Sequence, residues 1–93
     1  MKIRWLRRAE ISLGDIAAYI AQDNPKAADK TIEKIRNSTK ILSMQPYIGK
    51  SGRIPGTREL IIPPNYILPY RIKNNEIHIL QVFHTARKWP KEF

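Results

Sequence analysis

Asn24-Pro25 stands between two apolar stripes of helical period, and this pair decides the first half of the fold. An asparagine side chain can cap the orphan amides of a new helix. Proline suits the first helical position, because the N–H it lacks would go unbonded there anyway. Upstream, Ala9, Leu13, Ile16, Ala17 and Ile20 recur at helical spacing to about Gln22; downstream, Ala28, Ile32, Ile35, Thr39 and Leu42 do the same until Pro46. So short a link forces the two helices into an antiparallel hairpin. Gly14 weakens the first helix by roughly 1 kcal/mol relative to alanine, so packing has to hold it.

Outside the hairpin the apolar period changes to two. Lys2 to Leu6 alternates, with Ile3 and Trp5 on one side, which predicts a half-buried strand. Gly49, Gly52, Pro55 and Gly56 make the stretch from Pro46 to Gly56 a loop. Three more strands are expected at 57–62, 66–73 and 76–84, separated by Pro63-Pro64-Asn65 and by Asn74-Asn75, a good hairpin turn because asparagine tolerates positive φ. Apolar residues on both faces of the last strand (Ile77, Ile79, Leu80, Val82, Phe83) place it deep in the sheet, whereas Pro69 implies an edge or a bulge. The expected fold is α+β in the order β-α-α-β-β-β. An N-terminal strand and a C-terminal three-strand meander form an antiparallel sheet, and the helical hairpin covers one face of it. The other face is free to act. A length of 93 residues suits a single domain spanning 1–93.

Composition narrows the function classes. The absence of cysteine excludes a disulfide framework and a thiol-ligated zinc site. No apolar run reaches the length of a bilayer span, and the basic start Met1 to Arg8 lacks the apolar stretch of a signal peptide, so a cytoplasmic protein with no membrane partner is expected. A net charge of +9 attracts a polyanion or an acidic protein. Its excess lies at the ends: residues 1–8 carry Lys2, Arg4, Arg7 and Arg8 with no acid, while residues 9–50 are nearly balanced.

Familiar site motifs are mostly missing. Gly49-Lys50-Ser51 looks like the tail of a phosphate-binding loop, but Met44 stands where that loop needs glycine. His78 and His84 have poor spacing for a metal and no carboxylate cluster near them, so neither metal nor cofactor is expected. His84 reads either as a strand-end histidine satisfied by backbone or as a proton carrier. The run His84-Thr85-Ala86-Arg87-Lys88-Trp89-Pro90 puts two cations and an indole where core packing has no need of them, which favours an interface. Arg58 and Glu59 point to opposite faces of their strand, and Arg71 projects away from the face shared by Tyr66 and Tyr70.

Four segments together resemble a known family: Asn24-Pro25-Lys26-Ala27-Ala28, Gly52-Arg53-Ile54-Pro55-Gly56-Thr57-Arg58-Glu59-Leu60, Tyr66-Ile67-Leu68-Pro69-Tyr70-Arg71, and Val82-Phe83-His84 through Pro90. In this order and spacing they resemble the RelE/ParE superfamily of bacterial toxins, in its ParE-like branch. The resemblance spans nearly the whole chain.

It implies a toxin of a type II toxin–antitoxin pair, neutralised by a cognate acidic antitoxin whose flexible segment folds along it, with operator DNA bound indirectly through that antitoxin. The region of Ile16, Ile20, Ile32 and Ile35, together with a sheet edge, is the expected antitoxin contact. Two targets are known in the superfamily: DNA gyrase for ParE-like toxins, and messenger RNA on the ribosome for RelE-like ones. The RNA-cutting branch commonly has an arginine after the first tyrosine of Tyr-Arg-Leu-Val-Tyr, where this chain has Ile67 between Tyr66 and Leu68. That removes a charge the phosphate chemistry would use. The resemblance therefore favours a non-enzymatic gyrase inhibitor that grips its target through Arg58, Arg71, Arg87, Lys88 and Trp89. The alternative is a metal-free endoribonuclease with His84 as acid or base and Arg58, Arg71 and Arg87 on the phosphate. A plain nucleic-acid-binding module comes third, for want of aromatic platforms interleaved with the cations.

Overall fold

In a computed structural model of the chain, residues 1–86 are described. The elements run β1 (Lys2–Trp5), α1 (Arg7–Ala21), α2 (Pro25–Thr39), a 3-10 turn (Lys40–Ser43), β2 (Lys50–Ser51), β3 (Arg58–Ile62), β4 (Tyr66–Lys73), β5 (Glu76–Ile79) and β6 (Phe83–His84). This is the expected α+β order with two short strands added. Asn24 caps α2 as its position suggests: its Oδ1 accepts from the Ala27 amide at 3.1 Å, with Pro25 at the first helical position. The stripe that pointed to a helix as far as Leu42 is split. Ser38 and Thr39 turn their hydroxyls back onto the Lys34 and Arg36 carbonyls, and the chain tightens into the 3-10 turn.

The sheet is mixed rather than antiparallel, with path β1-β5-β4-β3-β2. β3 runs against β4 and β4 against β5, but β1 lies parallel beside β5, with Ile3 opposite Ile77 and Trp5 opposite Ile79. Alternation along the sequence fixes which residues face the core, and short turns fix the direction of consecutive strands only. The first strand inserts next to a strand far along the chain, and β2 adds one reversal before β3. Asn74 and Asn75 make the β4–β5 turn with φ of 53° and 59°, as expected of asparagine.

The predicted last strand is interrupted between Ile79 and Phe83. β5 continues the ladder to Tyr70, while β6 pairs Tyr66 with His84 and Ile67 with Phe83 further down β4. Pro69 explains the gap. It is buried inside the sheet, not at an edge, and its carbonyl accepts from the Leu80 amide at 3.0 Å on the side where its own missing N–H would have continued the ladder. The bulge that results is held from the helical layer, because the Val82 amide donates to Ser12 Oγ on α1 at 2.9 Å.

The hairpin packs on the face of the sheet formed by Ile3, Trp5, Ile77, Ile79, Leu68, Tyr70, Leu60 and Ile62. Ala9, Leu13, Ile16, Ile35 and Leu42 complete the core from the helical side, each large aliphatic contributing about 1.5–3 kcal/mol of burial. Arg36 joins three elements at the rim, 2.6 Å from the Glu10 carboxylate and stacked 4.9 Å from the centre of the Trp5 ring. No helix among the described residues is long and apolar enough to cross a membrane.

Candidate functional site

Two clefts lie at opposite ends of β4. The first, about 420 Å³, is lined by Ile16, Tyr19 and Ile20 of α1 together with Tyr66, His84 and Ala86. Tyr19 stands 61% exposed on its rim, an aromatic ring that intrahelical packing does not use. His84 meets the Tyr66 ring edge-on at 5.7 Å, and its Nδ1 accepts from the Ala86 amide at 3.2 Å. The backbone of its own turn thus holds one of the two ring nitrogens.

Of the four isoleucines expected to contact an antitoxin, Ile35 is fully buried and Ile16 nearly so, because both face the sheet. Ile20 and Ile32 remain half-buried at the edge of the core. The apolar groups that α1 offers outward are Ile11 and Tyr19, which the stripe reading passed over because they fall outside the core period. A sheet edge is present as well. The ladder to β2 covers only Arg58 and Glu59, so Leu60 to Ile62 of β3 have no strand neighbour on that side among the described residues.

The second cleft, about 370 Å³, lies where β3 begins and is lined by Tyr47, Ser51, Gly56, Thr57, Arg58, Arg71 and Ile72. Arg58 is built in: its Nη1 donates to the carbonyls of Tyr47 at 3.2 Å and Gly49 at 2.8 Å, and its guanidinium sits 5.1 Å from the Tyr47 ring centre. Arg71 is different, since its Nε is buried without a hydrogen-bond partner among the described residues. That nitrogen is shielded from solvent, so what Arg71 adds to the cleft wall is positive charge.

The wall of this cleft is rigid for reasons visible in the sequence. Ile54-Pro55-Gly56-Thr57 forms a turn closed by the Thr57 amide on the Ile54 carbonyl, with proline in second place and Gly56 at φ 80°, a conformation that favours glycine. Glu59 faces away from the helices yet is buried, because the loop folds over it. Its carboxylate accepts from the Arg53 amide at 2.9 Å and from Arg53 Nε at 3.2 Å, with Lys50 Nζ at 3.9 Å. Tyr70 fastens the other side of the loop, accepting from the Gly49 amide at 2.9 Å and donating to the Pro46 carbonyl at 2.8 Å. Burial, only partly offset by the Gly49 amide and Arg58, raises the Tyr70 pKa, so the phenol keeps its proton and both roles at neutral pH.

On the open face, Arg4, His78 and Arg71 stand in register across three strands, with Lys2, Glu76 and Lys73 one step along. His78 Nε2 donates to Glu76 Oε1 at 3.1 Å, which with Arg4 and Lys2 nearby holds the Glu76 carboxyl below the usual carboxylate range.

Of the residues expected to act together as a nuclease, the described ones divide between the two clefts. His84 is opposite Tyr66, whereas Arg58 is opposite Tyr70, four residues further along β4 or about 13 Å at strand rise. Arg58 and Arg71 do share a cleft. Arg87, Lys88 and Trp89 lie outside the described residues.

Comparison with known proteins agrees with this architecture. The chain is 41% identical over 91 residues to Y4kP of Sinorhizobium fredii, a protein named as a candidate toxin, covering 97% of this chain and 94% of that one. It is 29% identical to toxin RelE2 of Caulobacter vibrioides over 92% of this chain and 97% of the relative. Among solved structures, it superposes on a chain of the chromosomal ParDE toxin–antitoxin system of P. aeruginosa with a TM-score of 0.83 and 28% identity, covering 92% and 97% of the two chains. A chain of the RelBE2 toxin–antitoxin complex of Mycobacterium tuberculosis matches at a TM-score of 0.60 and 25% identity, over 89% and 95%. The family model described as the ParE toxin of the type II toxin–antitoxin system parDE matches residues 3–89. The chain therefore belongs to the ParE toxin family of type II toxin–antitoxin systems.

Proposed function

We propose that this toxin acts by binding DNA gyrase and is silenced by a cognate acidic antitoxin. The observation that carries the choice of target is the separation of His84 from Arg58 and Arg71 at opposite ends of β4. Phosphodiester cleavage without a metal needs a proton carrier and charge stabilisation around one phosphate, within hydrogen-bond reach of the reacting atoms. Ile67, at the position where RNA-cutting relatives carry an arginine, is buried in the pairing with Ile61 and Phe83 and supplies no charge. Binding to a protein target requires no such convergence, and the Arg58–Arg71 cleft suits it.

The hairpin cleft around Tyr19 and Ile20 and the uncovered edge of β3 are the proposed antitoxin surfaces, by groove packing and strand addition. A flexible acidic segment ordering there loses entropy, which long apolar contact and the opposite charge of a +9 toxin offset.

Purified toxin is expected to block gyrase supercoiling or to accumulate cleaved DNA, and to lose both effects when antitoxin is added. Intact supercoiling together with codon-linked messenger cleavage on ribosomes would overturn the gyrase assignment in favour of the endoribonuclease.

A further inference from the structure

The loop between α2 and β2 exposes apolar side chains, of which the Tyr47 ring lies against Arg58 and the others take no part in its anchoring. Met44 is 86% exposed, Tyr47 64% and Ile48 47%, with Ile41 exposed beside them. Met1 adds to the patch, its terminal ammonium bonded to the Ser43 carbonyl at 2.9 Å. A loop that merely connects is free to turn such residues inward or do without them.

This one is fixed in place. Tyr70 holds it by two hydrogen bonds and Arg58 by two more, at the Pro46, Tyr47 and Gly49 backbone. The Met44 and Gln45 amides return to the Ile41 carbonyl, and the Ile48 amide to that of Gln45. Gly49 leaves no room for adjustment, since a Cβ there would lie 2.6 Å from the Tyr70 oxygen. The apolar groups are therefore held toward water by a preformed backbone, which lowers the ordering cost of an association.

We propose that Ile41, Met44, Tyr47 and Ile48 form a preformed docking surface for an acidic partner protein, through which the toxin grips its target rather than its antitoxin. The inference rests on the reading above that the toxin works by binding a macromolecule. Charge identifies the partner. From Lys34 to Arg58 the chain contains no acidic residue, and the exposed cations Lys40 and Lys50, with Arg58, flank the apolar centre. An apolar centre with a charged rim is the anatomy of a protein interface. A second copy carries the same +9 charge and is a poor electrostatic match. Single-stranded nucleic acid calls for a series of stacking rings, whereas three of these four side chains are aliphatic. The antitoxin is assigned above to the separate cleft at the far end of β4.

The test compares wild type with a Met44→Asp/Ile48→Asp double variant and with Tyr47→Ala, all at exposed positions. Three readouts are taken: growth arrest on expression without antitoxin, inhibition of purified gyrase, and affinity for the cognate antitoxin. Both variants are expected to lose arrest and gyrase inhibition by about tenfold or more with antitoxin affinity unchanged; the double variant keeps the wild-type melting temperature and so carries the test, because Tyr47→Ala also removes the ring beside Arg58. Arrest equal to wild type overturns the docking surface and leaves the gyrase reading standing. Parallel loss of antitoxin affinity assigns the surface to the antitoxin and also overturns it. If wild type arrests growth without touching gyrase, the gyrase reading falls and the surface is judged on arrest alone. Loss of binding to a labelled RNA oligonucleotide in step with arrest makes the occupant a nucleic acid and overturns the protein partner. A wild type that arrests nothing overturns both readings.

Discussion

The hydroxyl of Tyr70 and the backbone of Gly49 are fitted to each other: the phenol accepts from the Gly49 amide at 2.9 Å, and a methyl on Gly49 would sit 2.6 Å from the same oxygen. Tyr70→Phe leaves that amide and the Pro46 carbonyl without their partner, a loss of about 1–3 kcal/mol. Gly49→Ala pushes the ring and the Glu59 carbonyl aside at a similar cost, of order 1–3 kcal/mol. Urea unfolding measures both. Faster hydrogen exchange at Gly49 in Tyr70→Phe, with the β4–β5 ladder unchanged, would locate the effect in the loop.

Among the described residues Glu59 is the one buried carboxylate, with side-chain exposure of 1% against 47% for Arg53 and 61% for Lys50. Its cationic partners reach water, so removing it strands no buried charge, and the loss is that of charge-assisted hydrogen bonds. Glu59→Ala is expected to destabilise by about 1–3 kcal/mol rather than by the larger penalty of a broken buried pair. Thermal melting checks this, with Arg53→Ala as the partner variant for a double-mutant cycle.

Arg71 makes the opposite case. Since its Nε has no hydrogen bond to lose among the described residues, Arg71→Met, which keeps an apolar stem, is expected to leave stability within about 1 kcal/mol of wild type. Target inhibition should fall. A large drop in melting temperature would show that the guanidinium has a structural role instead.

Glu76 links stability to acid. Its pKa is lowered in the folded chain, first by the His78 hydrogen bond and then by Arg4 and Lys2, so its stabilising contribution is complete above the unfolded carboxylate pKa. The contribution disappears as pH falls through the depressed folded value. Urea midpoints across the acid range should therefore drop less steeply in Glu76→Gln than in wild type. Parallel profiles would contradict the linkage.

Tyr19→Asp places a negative charge on the rim of the hairpin cleft proposed above for an acidic antitoxin. Affinity for the antitoxin is expected to fall by roughly ten- to a hundredfold with little change in stability, because the ring is exposed. Isothermal titration with the cognate antitoxin would measure it; unchanged affinity would remove this cleft from the antitoxin surface.

Local chemistry made much of this protein legible in its sequence. Asn24-Pro25 set the helix boundary, Asn74-Asn75 set the β4–β5 turn, and Pro69 implied an irregularity in its own strand, though not that the facing last strand would split, because caps, positive φ and a missing N–H act within a few residues. The family was legible for the same reason, as its signature segments are short runs. The sequence could not show that β1 lies parallel beside β5, since nothing local tells a strand which distant neighbour it will meet. Nor could it separate Arg58 from Arg71. Both read as cations near a sheet end, and only packing turned one inward onto the Tyr47 and Gly49 carbonyls while leaving the other with an unused donor. Ile35 and Tyr19 differ in the same way, one spent in the core and the other left facing water. Sequence determined which residue types were present and how each segment folds. The tertiary structure decided which of their hydrogen-bonding and apolar groups remain available to a partner, because availability is what is left after every long-range contact has been made.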